Sequence, residues 1–292
     1  MADLRIWKFH GTGNDFVMVE DLDDVSPLTG PLVSALCDRR FGLGADGVIR
    51  ITRAEEGSDA PFFMDYWNAD GTVAEMCGNG IRCLGKLVFE RGHTGETEFD
   101  VDTRVGAKHL RLDVRDGVVA AVTVGMGPAR LAKRDIPMTG RDPDEPFVGE
   151  PFDAAGRTFT ATAVSMGNPH IVLLVDEDPR DLDVHRIGPL VEIDARFPNK
   201  TNVEFVRVTD GVVNARVWER GVGETMACGT GACAALVAAN EAGLVPPRAT
   251  VRFPGGDLVV ERTDDQVYLS GPAERVFDAV LDEAWMRSRG LA

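Results

Sequence analysis

The sequence predicts an α+β fold made of two pseudo-symmetric domains from an internal duplication, each with antiparallel or mixed strands wrapped around a central buried helix. Three observations predict it. Landmarks recur in the same order in both halves of the chain, short strand-like runs dominate, and only one strong helix per half is apolar over most of its circumference. A helix of that kind has to be surrounded, and a curved sheet can surround it.

Self-similarity at a fixed spacing marks a duplicated unit. Gly13-Asn14-Asp15-Phe16-Val17-Met18-Val19 aligns with Gly167-Asn168-Pro169-His170-Ile171-Val172-Leu173 at an offset of 154. Phe41 through Asp46-Gly47-Val48 aligns with Phe197 through Asn202-Val203-Glu204 at an offset of 156. Trp67-Asn68 matches Trp218-Glu219, and Cys77 matches Cys228, both at 151. The same offset carries Glu90-Arg91-Gly92 onto Glu241-Ala242-Gly243, and Gly127-Pro128-Ala129 is echoed by Gly271-Pro272-Ala273.

The strand-like runs of the first half are Leu4–Phe9, Phe16–Val19, Gly47–Ile51, Glu98–Asp102, His109–Val114 and Val118–Val124. Those of the second are Ile171–Val175, Val203–Val208, Val212–Trp218, Thr250–Phe253, Leu258–Glu261 and Val267–Leu269. Many alternate apolar with polar residues between Gly or Asp turns, the pattern of half-buried antiparallel strands. The two main helices open at Cys77 and Cys228. Shorter helices are expected at Pro31–Arg39 and His185–Val191, and the Pro-, Gly- and Asp-rich stretch from Ala129 to Phe152 is expected to be crossover and loop.

At 292 residues the chain can form one large domain or two medium ones with real cores. Acidic residues outnumber basic ones 47 to 31, and no basic cluster exceeds Arg39-Arg40, which argues against nucleic acid or an anionic membrane as partner. No apolar run approaches the roughly 20 residues needed to span a bilayer. Met1-Ala2-Asp3-Leu4-Arg5-Ile6-Trp7 has neither the basic start nor the apolar stretch of a signal peptide, so a cytoplasmic protein is expected. Five cysteines, an odd number, do not suggest a disulfide framework.

Gly42-Leu43-Gly44-Ala45-Asp46-Gly47 fits G-x-G-x-x-G, but a strand-like run follows it where a dinucleotide site needs a helix. A glycine turn feeding a strand, or a loop lining a pocket, suits it better. A metal site fits poorly too. Cys77/Cys83 and Cys228/Cys233 have the wrong spacing for zinc, and no His pair lies near either, so no metal is expected. Cys37, Cys83 and Cys233 read as small packing residues.

Cys77-Gly78-Asn79-Gly80 and Cys228-Gly229-Thr230-Gly231 are different. Each places a thiol on a glycine-rich turn opening straight into the buried helix, where unpaired N–H groups and the helix dipole lower a thiol's pKa. A lone nucleophile needs a dedicated base, and the repeat offers no His at matching places. Two matched acid/base groups suit the inversion of a carbon centre: one takes a proton from one face, the other delivers one to the opposite face. One must be thiolate while the other is thiol, so the pair titrates as a coupled unit. The repeat brings further polar residues in register: Asn14 with Asn168, Asp46 with Asn202, Asn68 with Glu219. Glu219-Arg220 breaks the symmetry, either as a solvated surface pair or as a clamp for a zwitterion.

Phe9-His10-Gly11-Thr12-Gly13-Asn14-Asp15-Phe16, Asn68-Ala69-Asp70-Gly71, Met76-Cys77-Gly78-Asn79-Gly80-Ile81-Arg82, Met166-Gly167-Asn168-Pro169-His170, Glu219-Arg220-Gly221 and Ala227-Cys228-Gly229-Thr230-Gly231 together resemble the diaminopimelate epimerase family over nearly the whole chain. The resemblance implies interconversion of LL- and meso-2,6-diaminopimelate without pyridoxal phosphate or metal, in lysine and peptidoglycan precursor biosynthesis. It implies Cys228 as base toward the LL substrate and Cys77 as the opposing acid, with His170 and Glu219 tuning them. Substrate binding is implied for Asn14, Asn68, Gly78, Asn79, Asn168, Asn202, Glu219, Arg220, Gly229 and Thr230, with Arg220 taking the distal carboxylate. It also implies two similar halves, 1–127 with a returning 273–292, and 128–272, and a homodimer. Many relatives carry Gln where this chain has Gly47, so Gly47 stays outside the expected site. The competing readings are a proline racemase-type enzyme, a non-catalytic zwitterion-binding protein, and a thiol redox sensor.

Overall fold

The computed structural model of the protein describes residues 4–291, and residues 1–3, the head of the stretch read for a signal peptide, lie outside it. The chain forms two compact units, Met1–Val124 with Gly271–Ala292, and Gly125–Ser270.

In the first unit β1 (Arg5–Gly11) and β2 (Asn14–Glu20) form an antiparallel hairpin turning through Thr12 (φ 53°) and Gly13 (φ 82°). Helix α1 (Gly30–Cys37), capped by Thr29, leads to β3 (Gly47–Arg53), which runs parallel to β2. β4 (Phe62–Asn68) returns antiparallel to β3, then helix α2 (Gly78–Glu90) crosses to β5 (Glu98–Asp102), parallel to β4. β6 (Lys108–Arg115) and β7 (Val118–Gly127) follow as antiparallel neighbours. Each parallel step is bridged by a helix, as a parallel connection requires.

The second unit repeats this plan. It begins with β8 (Glu150–Ala154), β9 (Arg157–Ser165) and β10 (Pro169–Leu174), all antiparallel neighbours. Helix α3 (Val184–Glu192) crosses to the parallel β11 (Asn202–Thr209), and β12 (Val212–Glu219) returns antiparallel, continuing into the short β13 (Gly223–Thr225). Helix α4 (Gly229–Glu241) leads to β14 (Arg248–Phe253), parallel to β12, and β15 (Gly256–Arg262) and β16 (Val267–Gly271) close the series antiparallel. The chain then returns to the first unit: β17 (Glu274–Val280) pairs antiparallel with β1, and α5 (Glu283–Ser288) follows.

The order β17-β1-β2-β3-β4-β5-β6-β7 thus matches β8-β9-β10-β11-β12-β14-β15-β16, step for step in strand direction. The α+β fold, with strands around a central helix in each half, is as the pattern predicted. Helix α2 packs on β1, β2, β3 and β6, and α4 on β9, β10, β11, β12, β14 and β15. From Ala232 to Ala239 every residue of α4 is buried, most of them alanines, so strands approach it from all sides.

The structure departs from the expected elements where alternation fails or is weak. β4, Phe-Phe-Met-Asp-Tyr-Trp-Asn, does not alternate apolar with polar residues; β9 does alternate over Thr158-Phe159-Thr160-Ala161-Thr162-Ala163, but with the small residues Thr and Ala, so the contrast between its faces is weak. β8, β13 and β17 are likewise additions. The stretch from Ala129 to Phe152 is not all loop: Glu150 opens β8, and a single turn at Lys133–Asp135 seats Ile136 and Met138 in the second unit's core. Among the described residues no helix is long and apolar enough to cross a membrane.

Candidate functional site

The two helices begin alike. Cys77 and Cys228 are their N-cap residues, both in extended conformation, and the Gly231 N–H of the first turn donates to the Cys228 thiol. An N-cap usually holds Ser, Thr, Asp or Asn to accept from first-turn N–H groups. A thiol there leaves other first-turn N–H groups and the positive end of the dipole available to an anion. Behind it lies Gly78 or Gly229, both buried at the start of the helix.

In the first unit Asn14, the first residue of β2, reaches the thiol. Its Oδ1 accepts from Cys77 Sγ at 3.5 Å and from Asn79 Nδ2 at 3.3 Å, while its Nδ2 donates to Asp46 Oδ2 at 2.8 Å. The fully buried Arg82 guanidinium braces the turn from beneath. It donates to Gly78 O at 2.9 Å, Asn79 Oδ1 at 3.0 Å, Thr12 Oγ1 at 3.3 Å and Pro272 O at 3.3 Å. One cation therefore ties the helix start to the strained Thr12 turn that presents Asn14. Asn68, at the end of β4, donates to Thr72 Oγ1 at 3.1 Å within its own turn.

In the second unit Asn168 takes the equivalent position. Its Nδ2 donates to Thr230 Oγ1 at 3.3 Å, and Thr230 Oγ1 lies 3.5 Å from Cys228 Sγ. His170 is buried, with Nε2 3.0 Å from Asn168 Oδ1 and Nδ1 2.7 Å from Glu204 Oε1. Asn202 donates to Pro169 O at 2.9 Å and accepts from the Arg220 backbone N–H at 2.8 Å, fixing the corner after β12. Glu219 accepts from Thr225 Oγ1, and Arg220 Nη1 donates to Asn199 O at 3.2 Å, so the adjacent charges serve different partners.

The thiols do not all behave as a helix start predicts. Burial pushes the Cys228 thiol well up, and the Glu219 carboxylate adds to this, outweighing the Thr230 hydrogen bond that pulls the other way. The expected lowering at this helix N-terminus is therefore reversed at Cys228. Cys37 and Cys83 are pushed up to about 12 by burial, in keeping with inert packing thiols. His170, expected to tune the cysteines, reaches Cys228 through Asn168 and Thr230.

The Asn14 pairing with Asn79 and Asp46, the Arg82 brace and the Glu204 carboxylate were not expected. Glu204 had a signal: an acid inside the apolar run Val203-Glu204-Phe205-Val206, where a charge has no place unless partnered. Gly42-Leu43-Gly44-Ala45-Asp46-Gly47 feeds directly into β3, and its Asp46 accepts from Asn14 and Arg39. At Gly47 a side chain has no room: a Cβ there lies 2.5 Å from Trp67 O and 2.7 Å from Tyr66 Cε2. Shape alone does not find these residues. A cavity of about 900 Å³ in the first unit, lined by Asp23, Arg50, Thr52, Glu55 and Asp102 among others, includes none of them. Among the described residues no group of three or more His, Cys, Asp or Glu side chains is arranged to hold a metal ion.

Comparison with known proteins gives a consistent result. The diaminopimelate epimerase family matches residues 6–132 and 162–276. A diaminopimelate epimerase of Desulforudis audaxviator is 46% identical over 289 residues, covering 98% of this chain and all of the relative. One from Pelotomaculum thermopropionicum is 46% identical over 281 residues, covering 94% of this chain and 97% of the relative. Among solved structures, a protein described as a predicted epimerase from Pseudomonas aeruginosa has a TM-score of 0.67 at 17% identity, covering 95% of this chain and 99% of that one. A hydroxyproline epimerase from Agrobacterium vitis has a TM-score of 0.64 at 16% identity, covering 96% and 91%. At such identities the likeness is one of fold.

Proposed function

The chain belongs to the diaminopimelate epimerase family, and from that premise we propose that it interconverts LL- and meso-2,6-diaminopimelate by moving protons at the α-carbon with two cysteines. The observation that carries the reading is the duplicated helix start. Each half opens its one central helix with a thiol at the N-cap followed by Gly; Asn14 accepts from Cys77, and Asn168, just before β10, donates to the Thr230 hydroxyl beside Cys228.

Cys228 takes the α-proton of the LL isomer as thiolate, and Cys77 as thiol delivers one to the other face; in the reverse direction the roles exchange. Negative charge developing on the reacting carboxylate is met by the N–H groups at Gly78-Asn79 and Gly229-Thr230. Each helix start supplies up to about 2 kcal/mol, together roughly a thousandfold in rate. Positioning and water exclusion supply the rest of the barrier reduction. Asn14, Asn68, Asn168 and Asn202 hold the substrate's polar groups, Arg220 the distal carboxylate, and Glu219 an ammonium. Because the thiols and helix starts carry the charge movement, the chemistry calls for no pyridoxal phosphate and no metal. The expected setting is the cytoplasm, as a homodimer, in lysine and peptidoglycan precursor synthesis.

The test is solvent deuterium incorporation at the α-carbon of LL-diaminopimelate, with turnover to the meso isomer followed in parallel. Wild type exchanges and inverts, whereas Cys77→Ala and Cys228→Ala each lose inversion with an unchanged circular dichroism spectrum. Substantial inversion by either variant defeats the assignment. A protein that only binds the zwitterion exchanges no deuterium.

A further inference from the structure

Beneath the first turn of α4 lies a buried pair that the proton transfers do not themselves use. His170 and Glu204 are both fully buried, 2.7 Å apart from Nδ1 to Oε1. Glu204 Oε2 is enclosed with no hydrogen-bond partner. Gly231 makes room for this carboxyl group: a Cβ there lies 2.7 Å from Glu204 Oε1 and 3.1 Å from Cys228 Cβ. From the pair a line of contacts runs outward. His170 Nε2 meets Asn168 Oδ1 at 3.0 Å, Asn168 Nδ2 meets Thr230 Oγ1 at 3.3 Å, and Thr230 Oγ1 meets Cys228 Sγ at 3.5 Å.

The chemistry of each atom fixes the proton count. An amide oxygen only accepts, so His170 Nε2 carries a hydrogen and donates to Asn168. One proton then occupies the gap between Nδ1 and Oε1, because two lone pairs facing across 2.7 Å repel. With a carboxylate the ring is imidazolium; with a neutral ring the carboxyl group is protonated. Either way the pair is neutral as a whole. That suits its burial, since a lone carboxylate in an apolar interior is very costly.

We propose that Glu204 is a positioning residue that shares a single proton with His170, fixing the ring and Asn168, and through Thr230 the Cys228 thiol, without adding net charge beside the sulfur. The assignment rests on Cys228 being an acid/base group. The acids facing that sulfur are Glu219 on β12 and, with a smaller effect, Glu204 on β11, and both push the thiol up; a proton shared with His170 keeps the smaller effect below that of an unpaired carboxylate.

The test compares wild type, Glu204→Gln, Glu204→Leu and Cys228→Ala. Glutamine keeps the shape and donates its amide to Nδ1, so Glu204→Gln retains turnover within about threefold and leaves the pH profile of kcat/KM for the LL isomer in place. Glu204→Leu removes the partner and lowers kcat/KM by about 10- to 100-fold, the scale of a small misplacement of an acid/base group. A strongly downfield proton resonance marks the shared proton in wild type and is absent from both Glu204 variants. If Glu204→Leu does not fold, the Glu204→Gln profile and the wild-type resonance still decide. A profile moved to lower pH by a unit or more in Glu204→Gln shows an unshared carboxylate and overturns the proposal, as does full turnover by Glu204→Leu. Should Cys228→Ala itself turn over, the acid/base assignment fails; an inactive Cys228→Ala beside a fully active Glu204→Leu sinks only the role of Glu204.

Discussion

Asn14 Oδ1 stands 3.5 Å from Cys77 Sγ and accepts its S–H, although 63 positions separate the two residues in sequence. A neutral acceptor steadies the thiol yet lets the proton leave. Asn14→Asp puts an anion there, which favours the thiol form. The expected outcome is a kcat/KM profile for the meso isomer, where Cys77 is the base, moved to higher pH by about one unit. Steady-state rates across pH check this. A profile that stays put means Asn14 does not govern Cys77.

Burial and Glu219 push the Cys228 thiol up, which favours the thiol over the reactive thiolate in the free protein. Alkylation by iodoacetamide is expected to be slower at pH 7 than that of a free thiol and to accelerate as the pH rises. Glu219→Gln removes a like charge and should speed labelling several-fold at a given pH. Cys37 and Cys83, pushed up to about 12, stay unlabelled in the folded protein. Peptide mass spectrometry resolves each site. Labelling of Cys228 at pH 7 as fast as a free thiol contradicts the expectation.

Asp15 is held ionised by basic neighbours in the first unit. Burial works against its ionisation, but Arg39 and Lys8 outweigh it and hold the carboxyl group at about 2, below its usual 3.8. A depressed folded-state value means stability that is present above the ordinary value and lost as the pH falls from there through about 2. Asp15→Asn is expected to cost about 1–2 kcal/mol at pH 7, after discounting for the exposure of Arg39, and to flatten the loss between pH 4 and 2. Urea denaturation at several pH values measures both. Equal stability of the variant at pH 7 rules out the ion pair as a contributor.

Gly231 is held to its identity by space. With a Cβ 2.7 Å from Glu204 Oε1, Gly231→Ala forces the carboxyl group or the helix to shift. The expected loss is about 1–3 kcal/mol, typical of overpacking, read as a lower denaturation midpoint. An unchanged midpoint shows that the pocket beneath α4 yields without cost.

The architecture was readable because duplication writes everything twice. Offsets near 151–156 aligned Cys77 with Cys228 and Asn14 with Asn168, and each pair holds equivalent places on strand and helix. Strands with strong alternation, such as His109–Val114, were visible; β4 was not, because apolar residues fall on both of its faces, nor was β9, whose alternation of Thr with Phe and Ala gives little contrast in hydropathy. The site was legible as a set of residue types but not as a network. Nothing local says that Arg82 reaches Thr12, or that Glu204 meets His170, because those partners are 70 and 34 positions away. The direction of the Cys228 shift was also out of reach, since the dipole is written in the helix start while burial depends on distant strands. Gly47 shows the opposite case. That this position holds a glycine has a plain steric reason in Trp67 and Tyr66.

β17 gives β1 its second neighbour, and the strand that does the same for β9 is β8, which comes just before it in the chain. During synthesis the second unit therefore has all its strands in hand by Gly271, while the first still lacks one. The half made earliest is completed last, only once Glu274–Val280 have left the ribosome. A nascent chain stalled or truncated before Glu274 leaves β1 with an open edge able to pair with another chain.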